Sequence, residues 1–537
     1  MVVPYDYVIV GGGSAGCTMA ARLGEVADAR ILLIEAGPPD DNPDIHRPVC
    51  FYKMTTGPLT WGYETAPSAQ RDGHVMPLAQ ARVLGGGSSI NAMVFTRGNP
   101  KDYDEWASDE GCNGWAFKDV LPYFRRAEDN NRLANDYHGT GGPLGASDQI
   151  SPHRLSRAFV RAAQQAGLAY NPDFNGAVQE GSGLYQVTQR RARRCSAVVG
   201  YLRPAMKRGN IDLVTDALAN RIIVENGRAI GVQYFANGQM REARAEQEVI
   251  VASGAIGSPK LLLLSGIGPA DELNAVGVEP MHDLPGVGKN LQDHIDVYSI
   301  HELNGPHSYD KHTQPMKMLW AGLEYMLFNS GPVTSNLAEA GGFWYADQDE
   351  RSPDIQFHFL PGAGVEAGVP PVPSGYGCTI NSCHLRPRSR GSVTLNTADP
   401  ADPPVIDPNY WAEEYDFEMS LRGLEKTRDI ARQSELAKFI TKEHMPGPRA
   451  TARSDLEAYA KRFGKTDYHP VGTCKMGVDD MAVVDPQCRV RGIDGLRVAD
   501  SSIMPRLISS NTNAASIMIG EKASDMIRGN RATEPPD

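Results

Sequence analysis

The stretch Tyr5–Gly16, YDYVIVGGGSAG, decides the fold. Tyr5 to Val10 is a short apolar run rich in β-branched residues and stopped by Gly11-Gly12-Gly13, the pattern of a strand buried on both faces of a parallel sheet. Gly11, Gly13 and Gly16 stand in G-x-G-x-x-G spacing, and each has its own physical task. Gly11 permits the tight turn, Gly13 lets the backbone approach a pyrophosphate, and Gly16 lets helix and strand pack closely. Ser14 to Leu23 predicts a helix whose free N–H groups and positive dipole end face the phosphates, with Ser14 and Ala15 at its start. Arg30 to Ile34, RILLI, predicts a second strand.

Glu35 follows Gly13 by 22 residues and, with Ala36, closes that second strand. A carboxylate there accepts hydrogen bonds from ribose hydroxyls and repels a 2′-phosphate, which disfavours NADP. FAD and NAD carry the same adenosine pyrophosphate, so this unit leaves the two open.

Composition narrows the class. A 41% hydrophobic and 22% charged chain of 537 residues is an ordinary globular enzyme in make-up. A net charge of −12 argues against a nucleic-acid surface or a polybasic membrane anchor and points to a small-molecule partner. Eight cysteines without any C-x-x-C pair give no zinc or dithiol framework, so no metal is expected and free thiols in a reducing compartment are. The chain runs from Met1 directly into a strand with no basic leader and has no apolar run of about 18 residues. The expectation is a cytoplasmic protein without an integral membrane segment.

Outward from the glycine turn, Pro38 to Gln80 reads as an extended loop region rich in Pro, Gly and Asp. Asp212–Thr215, Arg221–Glu225, Ala229–Tyr234 and Glu248–Ala252 predict strands, with Asn226-Gly227 and Asn237-Gly238 as hairpin turns. Lys260–Leu264, Glu413–Arg432 and Ala514–Arg528 predict helices, and Gly495–Ala499 a further buried strand. Only the tail from Ala532 looks frayed.

Two long blocks, Ala81–Gly98, ARVLGGGSSINAMVFTRG, and Gly254–Gly268, GAIGSPKLLLLSGIG, resemble the two signatures of the glucose-methanol-choline (GMC) family of flavoenzymes. Pro285–His294, Arg390–Tyr410 and Gly495–Ile527 extend the resemblance over nearly the whole chain. It implies FAD, and an α/β fold with an α+β substrate part: a Rossmann-like FAD-binding domain interleaved with an antiparallel-sheet substrate domain. The expected division is 1–155, 206–300 and 460–530 for FAD, and 156–205 and 301–459 for substrate. Cofactor contacts are expected from Gly11, Gly13, Ser14, Ala15, Gly16, Glu35 and Ala36. Arg82, Gly86, Ser88, Ser89, Asn91, Ala92, Val94, Ala217, Asp500, Asn511 and Thr512 complete that set, with Asp500 near the pyrophosphate. Some relatives attach the flavin covalently through a histidine after the paired serines; Ile90 holds that position here, so non-covalent FAD is expected.

The stretch Asp467–Cys474, DYHPVGTC, supplies the candidate base. In the GMC family a histidine before a Val/Thr-Gly-Thr turn faces the flavin and a second His or Asn follows some 40 residues later. His469 fits the first position and Asn511 the second, while Asn513 suits an N-cap. Tyr468 is either a wall of the pocket or a core aromatic; His294 and His384 read as structural. An alcohol of pKa roughly 16 and a histidine near 6.5 differ by about 13 kcal/mol, too much for prior deprotonation. The proton must leave for His469 as hydride leaves for the flavin, or Asn511 and the new imidazolium must hold the alkoxide.

These readings imply FAD-dependent oxidation of a primary alcohol, alkyl, aryl or polyether, to an aldehyde. A choline-type dehydrogenase is the alternative, and the same fold hosts hydroxynitrile lyases and a light-driven fatty-acid decarboxylase. The electron acceptor, whether oxygen, a quinone or a dye-like molecule, is open.

Overall fold

The computed structural model describes residues 4–364 and 370–529. The frayed tail expected from Ala532 lies outside them. Two seven-stranded sheets organise the chain. In the first, Tyr5–Val10 lies between Ile31–Ile34 on one side and the end of Gln239–Val251 on the other, all parallel. Ile211–Val214 extends it beyond Ile31–Ile34, and Leu496–Val498 beyond Gln239–Val251. Val8, Ile9, Ile31, Leu33, Val249 and Val251 are fully buried, as a parallel strand covered on both faces requires.

The chain leaves Tyr5–Val10 toward one neighbour and returns on its other side, so the carboxyl ends of Tyr5–Val10 and Gln239–Val251 diverge into a crevice. That is the switch point where open α/β sheets bind ligands. The helix Ser14–Leu23 has the bounds its sequence predicts. Leu218–Glu225 and Arg228–Ala236 are longer than expected, and Gln239–Val251 far longer, because Asn226-Gly227 and Asn237-Gly238 turn a hairpin out of the sheet. All four turn residues have φ between 51° and 76°, the geometry that makes Asn-Gly a hairpin signal.

The second sheet is antiparallel throughout, in the order Ile440–Met445, Ile295–Leu303, Gly377–His384, Ile355–Leu360, Ala340–Trp344, Gly181–Leu184, with Lys465–Thr466 on Ile295–Leu303. Helices Arg154–Gln165 and Glu414–Arg432 contribute to the core beside it, where Leu155, Phe159 and Ile430 meet Phe357 and Phe359. Two segments near the expected divisions show where the two sheets draw on the chain. Ile295–Leu303 is wholly a strand of the antiparallel sheet, although 300 was the boundary expected. Val198, Tyr201 and Leu202 pack in the core under the parallel sheet, because the Tyr201 hydroxyl reaches buried Glu521 at 2.7 Å.

Pro38–Gln80 is less irregular than its composition predicts. It holds short helices at Pro43–His46 and Pro48–Met54 and a strand pair, Tyr63–Glu64 with Pro77–Leu78. The helix Asn513–Arg528 lies on Ser14–Leu23, where a Cβ on Gly520 would stand 2.8 Å from the Ala15 carbonyl oxygen. Glu521 accepts Arg22 and Arg126 in that seam, so a buried carboxylate is paired twice. All eight cysteines are buried free thiols.

Candidate active site

A cavity of about 320 Å³ runs from the Gly11 turn to His469. At its nucleotide end the three motif glycines separate by cause. A Cβ on Gly11 would lie 2.4 Å from the Ala252 carbonyl oxygen at φ +104°, and one on Gly16 would lie 1.9 Å from the Gly11 carbonyl oxygen. The protein's own packing therefore demands those two. Gly13 sits at an unstrained φ of −78°, and its Cβ would meet nothing closer than 3.9 Å. It borders the cavity, so the space a side chain would fill there belongs to whatever the cavity holds.

Glu35 accepts N–H groups of Gly12 at 2.8 Å and Gly37 at 2.7 Å, one on each oxygen, which leaves lone pairs for hydroxyl donors. Burial pushes its carboxyl up to about 7 despite those bonds. The helices starting at Ser14, Gly254 and Asn513 all open on the cavity, and none has a side-chain cap. The Asp500 carboxylate already takes the Gly254 N–H at 2.9 Å, whereas the dipoles and first-turn N–H groups of the helices at Ser14 and Asn513 favour an anion between them. A glycine cradle, an acid for ribose and helix starts for phosphates fit the adenosine pyrophosphate of FAD.

Gly11, Gly13, Ser14, Ala15, Glu35, Ala36, Gly86, Asn91, Ala92, Val94, Ala217, Asp500, Asn511 and Thr512 border the cavity with His469. Gly16, Arg82, Ser88 and Ser89 do not. Ser88 and Ser89 turn their hydroxyls inward onto the carbonyls of Gly85, at 2.6 Å, and Leu84, at 2.7 Å, and so hold the second glycine turn closed. Arg82 stacks outside, 5.1 Å from the Trp61 ring. Asp500 spends both oxygens on the protein: Oδ2 accepts the Gly254 N–H at 2.9 Å and the Ser258 hydroxyl at 2.5 Å from the helix Gly254–Leu264, and Oδ1 accepts the Ser502 N–H at 2.7 Å. Asn513 is not an N-cap: it is the first helical residue, and its side-chain oxygen accepts the Ser14 hydroxyl at 2.7 Å.

At the far end His469 and Asn511 meet, with His469 Nε2 3.1 Å from Asn511 Nδ2. The Asn511 oxygen accepts from Thr96 Oγ1 at 3.1 Å and Gln356 Nε2 at 3.0 Å, which turns the NH2 toward His469. Tyr468 has φ +63° and borders the cavity, so it is a wall residue rather than core. Its left-handed backbone is the kink that swings His469 inward, a cost a bulky residue rarely bears.

His294 is more than structural. Its Nε2 lies 3.2 Å from the Leu385 carbonyl, which can only accept, so Nε2 carries the hydrogen. Burial, then the charge of His469, holds His294 well below the usual histidine range, so it is neutral and its Nδ1 is a lone pair. That lone pair is 3.0 Å from His469 Nδ1, which must therefore carry a hydrogen. His469 Nε2 is left bare toward Asn511 and the cavity. Asp467 Oδ2 lies 3.3 Å from the same nitrogen, close enough to act on it by charge.

Asp293 ties the pair together by accepting the backbone N–H groups of His294 at 2.9 Å and His469 at 2.7 Å. Burial, and then positive charge on His358 and Lys465, lowers His469 to about 3, so the ring is neutral at physiological pH. His384 stays structural, buried 3.9 Å from Asp416. Asp296, His358 and Asp467 offer metal-type ligand atoms within 4.8 Å of one another, but Lys465 Nζ stands 2.9 Å from Asp296 and supplies the cation there.

His294, Asp293, Asp467, His358, Gln356 and Thr96 escaped sequence reading as site residues. His294 ends the PGVGKNLQDH block, a signal that was present; Gln356, on an ordinary buried strand, has none.

Family models described as GMC oxidoreductase match residues 5–296 and 387–520. The chain is 40% identical to an alcohol dehydrogenase [acceptor] of Pseudomonas putida, covering 97% of this chain and 95% of that one. It is 41% identical to the mitochondrial choline dehydrogenase of Homo sapiens over 98% and 90% of the two chains. The structure of pyridoxine 4-oxidase from Mesorbium loti superposes with a TM-score of 0.88 at 31% identity, over 98% and 99%. With both family models on one chain and relatives aligned from end to end, the crevice, its glycine cradle and its histidine find their place: the chain belongs to the GMC oxidoreductases, FAD-dependent enzymes acting on CH–OH groups.

Proposed function

We propose that this protein oxidises a primary alcohol to the aldehyde, with His469 as the base and Asn511 as the donor that holds the alcohol oxygen. The observation that carries this is the bare Nε2 of His469 beside the Asn511 amide, 3.1 Å apart at the cavity wall. FAD, when bound, supplies the acceptor for the hydride released from the carbinol carbon. Gly13, Glu35, Gly86 and the helix starts at Ser14 and Asn513 would hold it, without a covalent bond because Ile90 has no nucleophilic atom.

An alcohol hydroxyl placed between the two side chains donates to Nε2 and accepts from Nδ2–H. With His469 near 3 and an alcohol near 16, complete transfer beforehand would cost about 18 kcal/mol. The proton therefore moves in step with C–H cleavage, when the oxygen has ceased to be an alkoxide. Asp467, 3.3 Å from Nδ1, offsets the imidazolium charge as it develops. That offset is on the order of 4 kcal/mol at an effective dielectric of 20.

Anaerobic mixing of the yellow enzyme with a panel of primary alcohols, choline included, tests the reading. Bleaching of the flavin band is expected with a primary alcohol, and the preferred one separates the alkyl, aryl and polyether reading from the choline one. A flavin that stays yellow with all of them while a cyanohydrin is cleaved would make the protein a lyase. His469→Ala should retain FAD and lose about 10²- to 10⁴-fold in the rate of bleaching.

A further inference from the structure

The helix Pro315–Phe328, PMKMLWAGLEYMLF, presents its apolar side chains to solvent. Ala321 alone is buried, whereas Met318, Leu319, Trp320, Met326, Leu327 and Phe328 are 55% to 72% exposed. Successive helical residues are about 100° apart, so Met318, Leu319 and Trp320 fan over about 200° of the circumference. A groove on a protein partner takes one stripe at i, i+3, i+4 and i+7 and would leave much of that fan in water. A fluid hydrocarbon boundary closes around all of it. The 14 residues reach only about 21 Å against a hydrocarbon core of about 30 Å. No helix among the described residues is long and apolar enough to cross a membrane. Such a helix dips into one leaflet.

The charge around it runs against the protein's net −12. Lys311, Lys317 and Arg154 crowd one end, and after burial their mutual repulsion lowers the Lys311 ammonium. Arg193 and Arg47 face Tyr325 on the helix itself. The acids nearby are already engaged. Asp310 accepts the Gly377 N–H at 2.9 Å, Asp44 pairs with Arg47 at 3.1 Å and Lys53 at 3.4 Å, and Glu324 accepts the Ser330 hydroxyl at 3.3 Å. An apolar helix rimmed by cations, Lys311, Lys317 and Arg193 among them, matches an anionic lipid surface.

We propose that the helix Pro315–Phe328 docks this protein on anionic lipid bilayers, its Trp, Leu, Met and Phe side chains at the acyl–headgroup boundary and Lys311, Lys317, Arg154 and Arg193 on the phosphates. Docking also orients the cavity. Tyr52 borders the cavity yet is 39% exposed, and its neighbour Phe51 packs on Tyr309 and Leu337, which flank the docking helix in the chain. The cavity rim therefore comes down onto the lipid, where an apolar alcohol or acceptor concentrates.

Sedimentation of the FAD-loaded full chain with vesicles tests this. Equimolar phosphatidylglycerol–phosphatidylcholine vesicles should bind it at least about tenfold more tightly than pure phosphatidylcholine at low salt. The double variant Trp320→Glu, Leu327→Glu should lose about a hundredfold or more in partitioning while keeping its flavin spectrum. Lys311→Glu with Lys317→Glu should remove the preference for anionic vesicles. A wild-type protein that stays in the supernatant with both vesicle types overturns the proposal, as does pelleting that the helix variants leave unchanged. Light scattering that shows a dimer broken by Trp320→Glu, Leu327→Glu, with no vesicle binding, would assign the helix to a second copy of the chain.

Discussion

Replacing His294 by Phe tests whether the tautomer of the base is set from behind. The ring volume is kept, but the acceptor 3.0 Å from His469 Nδ1 is gone. While His469 is neutral that bond contributes about 1 kcal/mol; once Nε2 has taken a proton the bond becomes charge-assisted and contributes about 1.5–3 kcal/mol. Only the difference between transition state and ground state acts on kcat, about 0.5–2 kcal/mol, so turnover should fall about 2- to 30-fold. The Asp467 carboxylate at 3.3 Å limits the loss by its charge. Single-turnover flavin bleaching in H2O and D2O is the assay, because a slower proton step enlarges the solvent isotope effect, which a packing defect would not do. The freed Leu385 carbonyl will also cost about 1–3 kcal/mol of stability, visible as a lower Tm. Turnover within twofold of wild type at full FAD content, with an unchanged solvent isotope effect, would refute the role given to His294.

Glu35→Gln keeps shape but weakens a charge-assisted acceptor, so FAD should dissociate about 10- to 150-fold more readily, measured by flavin fluorescence on dilution. Gly16→Ala places a Cβ 1.9 Å from the Gly11 carbonyl oxygen, which must push helix from strand; misfolded or flavin-free protein on purification is expected, whereas a Gly16→Ala variant with wild-type Tm and FAD content would contradict that packing. For pH, the signs oppose one another. Burial holds His153, His301 and His469 at about 3 and His384 at about 4, so below about 6.5 the unfolded chain takes up protons the folded one refuses, and stability drops as pH falls. Burial also holds Glu35 and Asp293 at about 7, and Asp296 and Asp354 at about 6, so these groups add stability as pH falls toward about 4. Burial adds His294 to the first set and Asp102, Asp310, Glu339 and Asp500 to the second, so the two sets oppose each other and Tm should change little between about pH 6 and 4.5. Below about pH 4 the histidines act alone, at about 1.4 kcal/mol per pH unit each, and the melting curve should collapse; a Tm that declines steadily from pH 6.5 would show that the carboxyls do not compensate.

What could be read along the chain was whatever neighbouring residues settle between themselves. Tyr5–Val10 and Ser14–Leu23 have the bounds their patterns predict, since a buried strand, a glycine turn and a helix start are each fixed by a few adjacent side chains and φ angles. Asn226-Gly227 and Asn237-Gly238 turn as expected for the same reason, and DYHPVGTC pointed to His469 because its motif is continuous. The hidden part was set by closure. His469 and Asn511 are 42 residues apart, Asn511 and Gln356 155, and His469 and His294 175, and no periodicity spans such gaps. Which nitrogen of His469 is bare depends on Leu385 offering a carbonyl to His294, a choice made only when the antiparallel sheet folds over the crevice. The inward turn of Ser88 and Ser89 and the outward face of Pro315–Phe328 belong to the same class, because a hydroxyl or a Leu side chain has no burial until its surroundings exist. The sequence therefore determined the cofactor cradle and the candidate base, while the tertiary structure alone decided the hydrogen-bond pattern that leaves Nε2 of that histidine open to the cavity.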